Sequence, residues 1–310
     1  MVRPFRFAVQ LSTAPSGAAW RDKARKVEDL GYSTLYLPDH LDDQWGPLVA
    51  MTVAAEATRR LNVGALVLDN DYRHPVVLAK EAATLDLASE GRLELGLGAG
   101  WMASDYEQSG IPFDPPGVRI ERMVEGLAIM RQLWRDGRAD FAGAHYTVTG
   151  ALGRPRPARA GGPRIVIGGG GRRMLSAAAR EADIVGVNPN LAAGRVGAEV
   201  ARLSTAELFR QRVAWVREAA GERWDDLELQ ILTFAVLFTD DARSLFDSMA
   251  PVFGLSGEEA AEVPLALVGT VDQIAESLVR RREEYGFSYV VVHEPEMEQF
   301  ARVVARLAST

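Results

Sequence analysis

Short β-branched or apolar runs recur along the chain, each followed by a polar or glycine-rich turn and then an amphipathic stretch. Read by period and length, the pattern predicts strands at Phe5–Gln10, Ser33–Pro38, Asn62–Asp69, Leu93–Ala99, Arg164–Gly169, Asp183–Pro189, Leu227–Val236 and Tyr289–His293. Several are continuous apolar runs, such as Ile165-Val166-Ile167 and Val290-Val291-Val292, as expected of parallel strands buried on both faces. Between them lie helical patterns. From Ile120 to Trp134 the residues Met123, Leu127, Met130 and Trp134 fall on one stripe, with Gly137 as a stop. Thr270 with Gln273, Ser204 with Glu207 and Ser104 with Glu107 each fit a capping box, and Pro47 suits the first turn of a helix.

Alternating strands and helices imply parallel βαβ units, and eight of them point to closure into a (β/α)8 TIM barrel; an open doubly wound sheet is the competing arrangement. No break in composition marks a second domain, so residues 1–310 are expected to form one domain with insertions in the βα loops. The stretch Gly153–Pro163 (GRPRPARAGGP) reads as a loop entering the fifth strand, Phe141–Val148 as a hairpin, and Asp240–Glu262 as a further insertion. No internal repeat or low-complexity tract appears beyond the alternation itself.

Composition narrows the function. With 310 residues, 47% apolar and 25% charged, the chain has the make-up of a globular enzyme with a sizeable core. A formal charge of −7 and the lack of a basic block argue against nucleic acid as a partner. There is no cysteine, which excludes disulfides, thiolate metal sites and cysteine nucleophiles. No apolar run suits a signal peptide or a membrane span, so a soluble cytoplasmic protein with a small-molecule substrate is the expectation.

Polar residues just past strand ends converge in a parallel barrel. Asp39-His40 follows the second strand directly: histidine can move a proton near neutral pH, and a neighbouring acid can orient or charge it. A structural turn is the bland alternative. Gly168, Gly169, Gly170 and Gly171 follow an apolar strand and lead into a helix, an arrangement whose backbone N–H groups and helix N-terminus suit a phosphate. No acid ends the next strand to hold a ribose, so this is not a dinucleotide fingerprint. The run Gly96-Leu97-Gly98-Ala99-Gly100-Trp101 suggests close approach of something flat, or tight packing of the neighbouring strand. His74 before proline reads as structural, His145 and His293 are left over, and the arginines of GRPRPAR read as a solvated loop, with contact to an acidic ligand as the lesser role. No His/Asp/Glu group has metal-ligand spacing and no G-x-S-x-G elbow is present.

Taken in order, the segments FRFAVQL, LYLPDH, NVGALVLDNDYRHP, GRLELGLGAGWMASDYEQSGIPFDPPGVR, PRIVIGGGG and VGTVDQIAESL resemble the luciferase-like flavin monooxygenase superfamily, above all its coenzyme F420 (deazaflavin)-dependent oxidoreductase branch. The resemblance runs through nearly the whole chain, and its fourth segment is the most specific. It implies a barrel enzyme with a deazaflavin cofactor, FMN being the alternative, and a homodimer. His40, with Asp39, would lie beside the cofactor ring and handle protons. The strand carrying Leu66 and Val67 would bulge behind the ring, with a non-proline cis bond between them. Gly98, Ala99, Gly100 and Trp101 would pack beside the cofactor, and Gly168 to Gly171 would hold its phosphate. The acidic glutamyl tail of a deazaflavin would find the basic loop Arg154–Arg164. In two places the chain departs from the family pattern. Members that oxidise sugar phosphates or secondary alcohols carry glutamate where this chain has Trp101, which points toward a reductase or monooxygenase. The tryptophan after the Asp-His pair is offset by one residue, at Trp45. The rival readings are a reduced-FMN two-component monooxygenase, a non-catalytic flavin-binding barrel, and a cofactor-free enzyme acting on a phosphorylated metabolite.

Overall fold

A computed structural model describes residues 3–191, 194–195, 200 and 202–308. The chain opens with β1 (Arg6–Gln10), α1 (Gly17–Asp29), β2 (Thr34–Leu37), α2 (Pro47–Ala57), β3 (Asn62–Ala65), β4 (Leu68–Asp69), α3 (Pro75–Ala88) and β5 (Leu93–Gly98). It continues through α4 (Ala103–Ser109), α5 (Pro116–Asp136), β6 (Arg138–Ala142), β7 (Thr147–Leu152), β8 (Arg164–Gly169), α6 (Arg172–Glu181) and β9 (Ile184–Val187). The remaining elements are α7 (Ala206–Ala220), β10 (Glu228–Leu232), β11 (Ala235–Phe238), α8 (Ala242–Phe253), α9 (Gly257–Ala261), β12 (Ala266–Gly269), α10 (Val271–Tyr285), β13 (Phe287–His293) and α11 (Met297–Leu307). Two compact units emerge from the packing: Met1–Gln10, Asp29–Ser33 and Gly168–Thr310 form one, Leu11–Glu28 and Thr34–Ile167 the other.

In the first unit β13 is the central strand. It runs parallel to β1, from Arg6 opposite Tyr289 to Gln10 opposite His293, and parallel to β10, which pairs in turn with β9. Tyr289, Val290, Val291 and Val292 are all buried, which is why the apolar run needs no polar alternation. The buried Glu228 is matched by Arg6, 2.8 Å away, whose guanidinium lies over the Tyr289 ring at 4.2 Å.

In the second unit β2 pairs with β3, β3 with β5, and β5 with the first residues of β8, all in parallel. Two buried tryptophans tie its helices together and satisfy their indole donors in doing so. Trp20 Nε1 donates to Ala50 O at 2.8 Å, and Trp134 Nε1 to Ala79 O at 2.9 Å. α5 ends at Gly137, whose φ of 77° closes the helix in the left-handed region, as its sequence predicts.

Each expected strand forms, but two of them break. The run 62–69 is interrupted at Leu66-Val67, leaving β3 and β4 as separate pieces. The run 227–236 bends at Thr233, whose N–H and hydroxyl both turn to Val291 O, and β11 then pairs with β12 in a small sheet of its own. β12 was not predicted, and the insertion before it holds α8 and α9. The Thr270–Gln273 capping box is present and Pro47 opens α2. The other two boxes are not formed. Thr205, not Ser204, caps α7, because the Ser204 hydroxyl is spent on Val200 O. Ser104 lies inside the first turn of α4, which starts after Met102. The hairpin extends beyond Phe141–Val148 to β6 and β7. Among the described residues no helix is long and apolar enough to cross a membrane.

Candidate active site

β2 ends at Leu37, and consecutive residues of an extended segment point to opposite sides, so Asp39 and His40 part company. His40 Nδ1 lies 2.7 Å from Asp105 Oδ2, on the short helix α4. A carboxylate can only accept, so Nδ1 is the donor of this pair and Nε2 is the nitrogen left for another partner. Asp105 is itself buried and takes a second bond from the Tyr72 hydroxyl, whose own pKa is raised by burial and by the neighbouring carboxylates. The Trp101 ring meets His40 edge-to-face at 5.5 Å. The sequence reading pairs His40 with its neighbour Asp39; the partner in space is Asp105, sixty-five residues along the chain. Its signal was present in the acidic, aromatic run after β5, though nothing local ties that run to His40.

Asp39 has a different task. Its carboxylate takes both arms of the Arg73 guanidinium, at 2.5 and 2.9 Å, and the backbone N–H of Asp69 at 3.0 Å. That bidentate clamp joins the end of β2 to the connection leading into α3. Behind it lies an acidic cluster. Arg122 bridges Asp71, at 2.9 Å, and Asp114. Arg119 donates to Ala99 O at 3.1 Å and Gly100 O at 2.6 Å, and covers the Phe113 ring at 4.1 Å. Among the described residues Asp69 has no ion-pair partner. Its Oδ1 accepts from Asp71 N at 2.9 Å and from Tyr106 OH at 3.2 Å. Burial pushes its carboxyl up to about 6, helped by the charges of Asp71 and Asp39 and opposed by those two hydrogen bonds.

The Leu66–Val67 bond is cis, as the resemblance implies. The alternating glycines of β5 serve this irregular strand. A Cβ at Gly96 would stand 1.8 Å from Ala65 O, and one at Gly98 would stand 2.5 Å from Val67 Cγ2. The adjacent strand is therefore a close neighbour of Gly96 and Gly98. Gly100 adopts φ 71°, and a Cβ there would strike Tyr106 OH and Asp69 Oδ2. Beside these residues the second unit holds an open cleft of about 480 Å³, lined among others by His40, Gln44, Tyr72, Arg73 and Ile111. Its size suits a small organic molecule.

In the first unit, Gly168 to Gly171 carry β8 into α6. None of the four has a positive φ, and close packing accounts for two of them, Gly169 and Gly170. A Cβ at Gly169 would meet Met174 at 2.4 Å, and one at Gly170 would meet the Pro189 backbone at 2.3 Å. Gly171 differs: a Cβ there would find only Asn190 Nδ2, at 3.9 Å, so the protein itself gives no reason for glycine. Gly171 also opens α6 with no side-chain cap and no acid in the first turn. An open, uncapped helix start beside a glycine with room to spare fits a phosphate group.

The other candidates fall away from chemistry. His74 caps α3, accepting from Val76 N at 3.3 Å, and His145 sits 3.7 Å from Glu121. Burial lowers the pKa of His293 at the end of β13, against opposing contributions from Glu296 and Thr233. The basic loop is tied down where β8 begins, not where its glycines end. Arg156 donates to Arg135 O at 2.7 Å and Arg159 to Gly91 O at 3.0 Å.

The family model for luciferase-like monooxygenases matches residues 1–289. The chain belongs to the luciferase-like monooxygenase family. This luciferase-like chain is 28% identical over 200 residues to an uncharacterized protein of Mycobacterium tuberculosis (strain ATCC 25618 / H37Rv), covering 57% of the chain and 70% of that relative. It is 27% identical over 278 residues to an F420-dependent glucose-6-phosphate dehydrogenase of Mycolicibacterium gilvum (strain PYR-GCK), covering 81% and 78%. Among solved structures, the coenzyme F420 dependent tetrahydromethanopterin reductase of Methanopyrus kandleri matches with a TM-score of 0.77 at 19% identity, over 98% of both chains. The fold of the luciferase-like chain is thus the (β/α)8 barrel, and the chain is an enzyme of the luciferase-like oxidoreductase class.

Proposed function

We propose that the chain is a single-domain, deazaflavin-dependent oxidoreductase acting on a small organic substrate, with His40 as its proton-handling residue. The observation that carries this reading is His40, held by Asp105, on the wall of an open cleft of about 480 Å³, in a chain of the luciferase-like family. When bound, the deazaflavin would supply or take up hydride at C5. Asp105 fixes the ring and tautomer of His40 and stabilises its protonated form, leaving Nε2 to give a proton to the substrate or take one from it. The Asp39–Arg73 clamp holds the segment that bears His40. Leu66, Val67, Ala99, Gly100 and Trp101 would line the side of the ring, and the open start of α6 would take the phosphate. Trp101, where sugar-phosphate oxidisers carry glutamate, supports a reductase or monooxygenase over such a dehydrogenase. The same helix start would serve FMN equally, which keeps a reduced-FMN monooxygenase as the second reading.

A homodimer is part of the proposal. Val49 on α2 and Val77 on α3 are 72% and 53% exposed beside a shallow apolar groove, a costly surface to leave in water. The test of the central role is His40→Ala. Loss of a general acid–base group costs roughly 10²–10⁴-fold in turnover, while cofactor affinity should change little. Unchanged turnover rules His40 out.

A further inference from the structure

We infer that Arg212 is the built-in counter-charge of the anion subsite at Gly168 to Gly171, a buried cation whose negative partner arrives with the phosphate-bearing ligand. The inference rests on the phosphate reading of that turn and goes beyond it, by naming the residue that sets the turn's charge and orientation.

Arg212 lies on α7 and is 3% exposed. Its Nε donates to Gly170 O at 3.2 Å and its Nη2 to Leu203 O at 2.7 Å, while Nη1 is buried with no hydrogen-bond partner. Its guanidinium lies 5.0 Å from the centre of the Phe209 ring. Among the described residues no carboxylate is paired with it, and burial pushes its pKa down to about 10. Its neighbours are treated otherwise. Arg210 pairs with Glu284 at 2.6 Å and Arg172 with Glu218 at 3.0 Å. Arg281, equally buried, spends its guanidinium on the carbonyls of Val263, Pro264 and Ala266, as a helix-side clamp does. A buried charge without an opposite charge is strongly unfavourable, so an uncompensated arginine is retained where a ligand completes it.

Its placement also orders the turn. In a trans peptide the C=O and N–H point in opposite directions. Arg212 holds Gly170 O, so the Gly171 N–H is turned the other way. Gly169 O is held likewise by Asn188 N at 2.9 Å, which turns the Gly170 N–H away. The Gly171 N–H, set opposite the carbonyl that Arg212 holds, lies at the positive start of α6, with the guanidinium on the far side of that peptide. Arg212 does not touch the ligand in this arrangement; it acts through one peptide group, as a positioning residue that also supplies field. A phosphate ester is the matching ligand chemistry.

The size of the effect follows from the path. One hydrogen bond, one peptide and a second hydrogen bond put the cation about 8 Å from the anion, and at an effective dielectric of about 20 that is roughly tenfold to thirtyfold in affinity. The experiment titrates the full chain, as parent, Arg212→Gln and Arg212→Lys, with two ligand pairs: coenzyme F420 against its phosphate-free chromophore, and FMN against riboflavin. The readout is the ratio of dissociation constants within a pair, by fluorescence, which a merely structural role would not move. In the parent, the phosphate-bearing member binds more tightly. In Arg212→Gln that advantage shrinks by roughly tenfold or more while the phosphate-free ligand binds as before, and Arg212→Lys keeps the advantage to within about threefold. An intact ratio in Arg212→Gln, or equal weakening of both members, overturns the inference. If Arg212→Gln does not fold, Arg212→Lys decides alone: a collapsed ratio with the charge still present overturns it. A parent that gains nothing from the phosphate in either pair instead defeats the phosphate reading of the glycine turn.

Discussion

Replacing Asp69 with asparagine should stabilise the protein at neutral pH. The carboxyl is buried beside Asp71 and Asp39 and is raised to about 6, first by burial and then by those charges. An ordinary aspartate titrates near ~3.9, so ionising this one in the folded state costs about 3 kcal/mol. The folded pKa is raised, so the contribution is favourable below the unfolded value and is lost as pH climbs through the folded one. Parent and variant should therefore be alike below about pH 4, diverge between about 4 and 6, and differ by up to about 3 kcal/mol above that window. Both hydrogen bonds made by the side chain end on Oδ1, so an amide oxygen in that place keeps them. Urea denaturation of Asp69→Asn and parent across this range reads the difference directly. A variant no more stable than the parent at about pH 8, or a difference that does not vary with pH, would show that Asp69 is not held in a charge-hostile site.

Four further variants separate site from scaffold. Asp105→Asn should lower turnover roughly a hundredfold or more, because an amide can hold the wrong tautomer of His40, with cofactor affinity within about threefold of the parent; equal loss in both constants would make Asp105 a folding residue. Gly171→Ala has ordinary backbone angles, φ −93° and ψ 150°, and open space, so it should fold like the parent yet bind the cofactor about tenfold more weakly; undiminished affinity would place the phosphate elsewhere. Gly170→Val, by contrast, should destabilise the protein with or without ligand, since its Cβ strikes the Pro189 backbone. Val49→Glu combined with Val77→Glu should give a monomer by sedimentation equilibrium where the parent is a dimer, and a doubly substituted dimer would move the interface off α2 and α3.

The strands were legible because parallel burial writes itself as short apolar runs, most plainly the uninterrupted Val and Ile of β8 and β13. Helix caps were less so. Thr205 displaced Ser204 because the Ser204 hydroxyl found a carbonyl one turn back, a choice that depends on where the chain arrives. The break in β10 follows from Val291, nearly sixty residues away, offering its oxygen to Thr233. The site was half visible. His40 and the glycine turn stand at strand ends, where position alone singles them out. Asp105, Arg73 and Arg212 come from elements that share no local pattern with them, and their roles are set by who lies opposite. Gly96 and Gly98 show the reverse problem: a pattern that resembles ligand contact is explained by Ala65 and Val67.

The central claim is the cofactor, and the most direct measurement is a pair of equilibrium titrations with oxidised coenzyme F420 and oxidised FMN, followed by fluorescence at low and high ionic strength. The deazaflavin reading predicts micromolar or tighter binding of F420 and much weaker binding of FMN at both ionic strengths. Tight FMN with weak F420 would contradict it and make the chain a reduced-flavin monooxygenase. Binding of neither would contradict both.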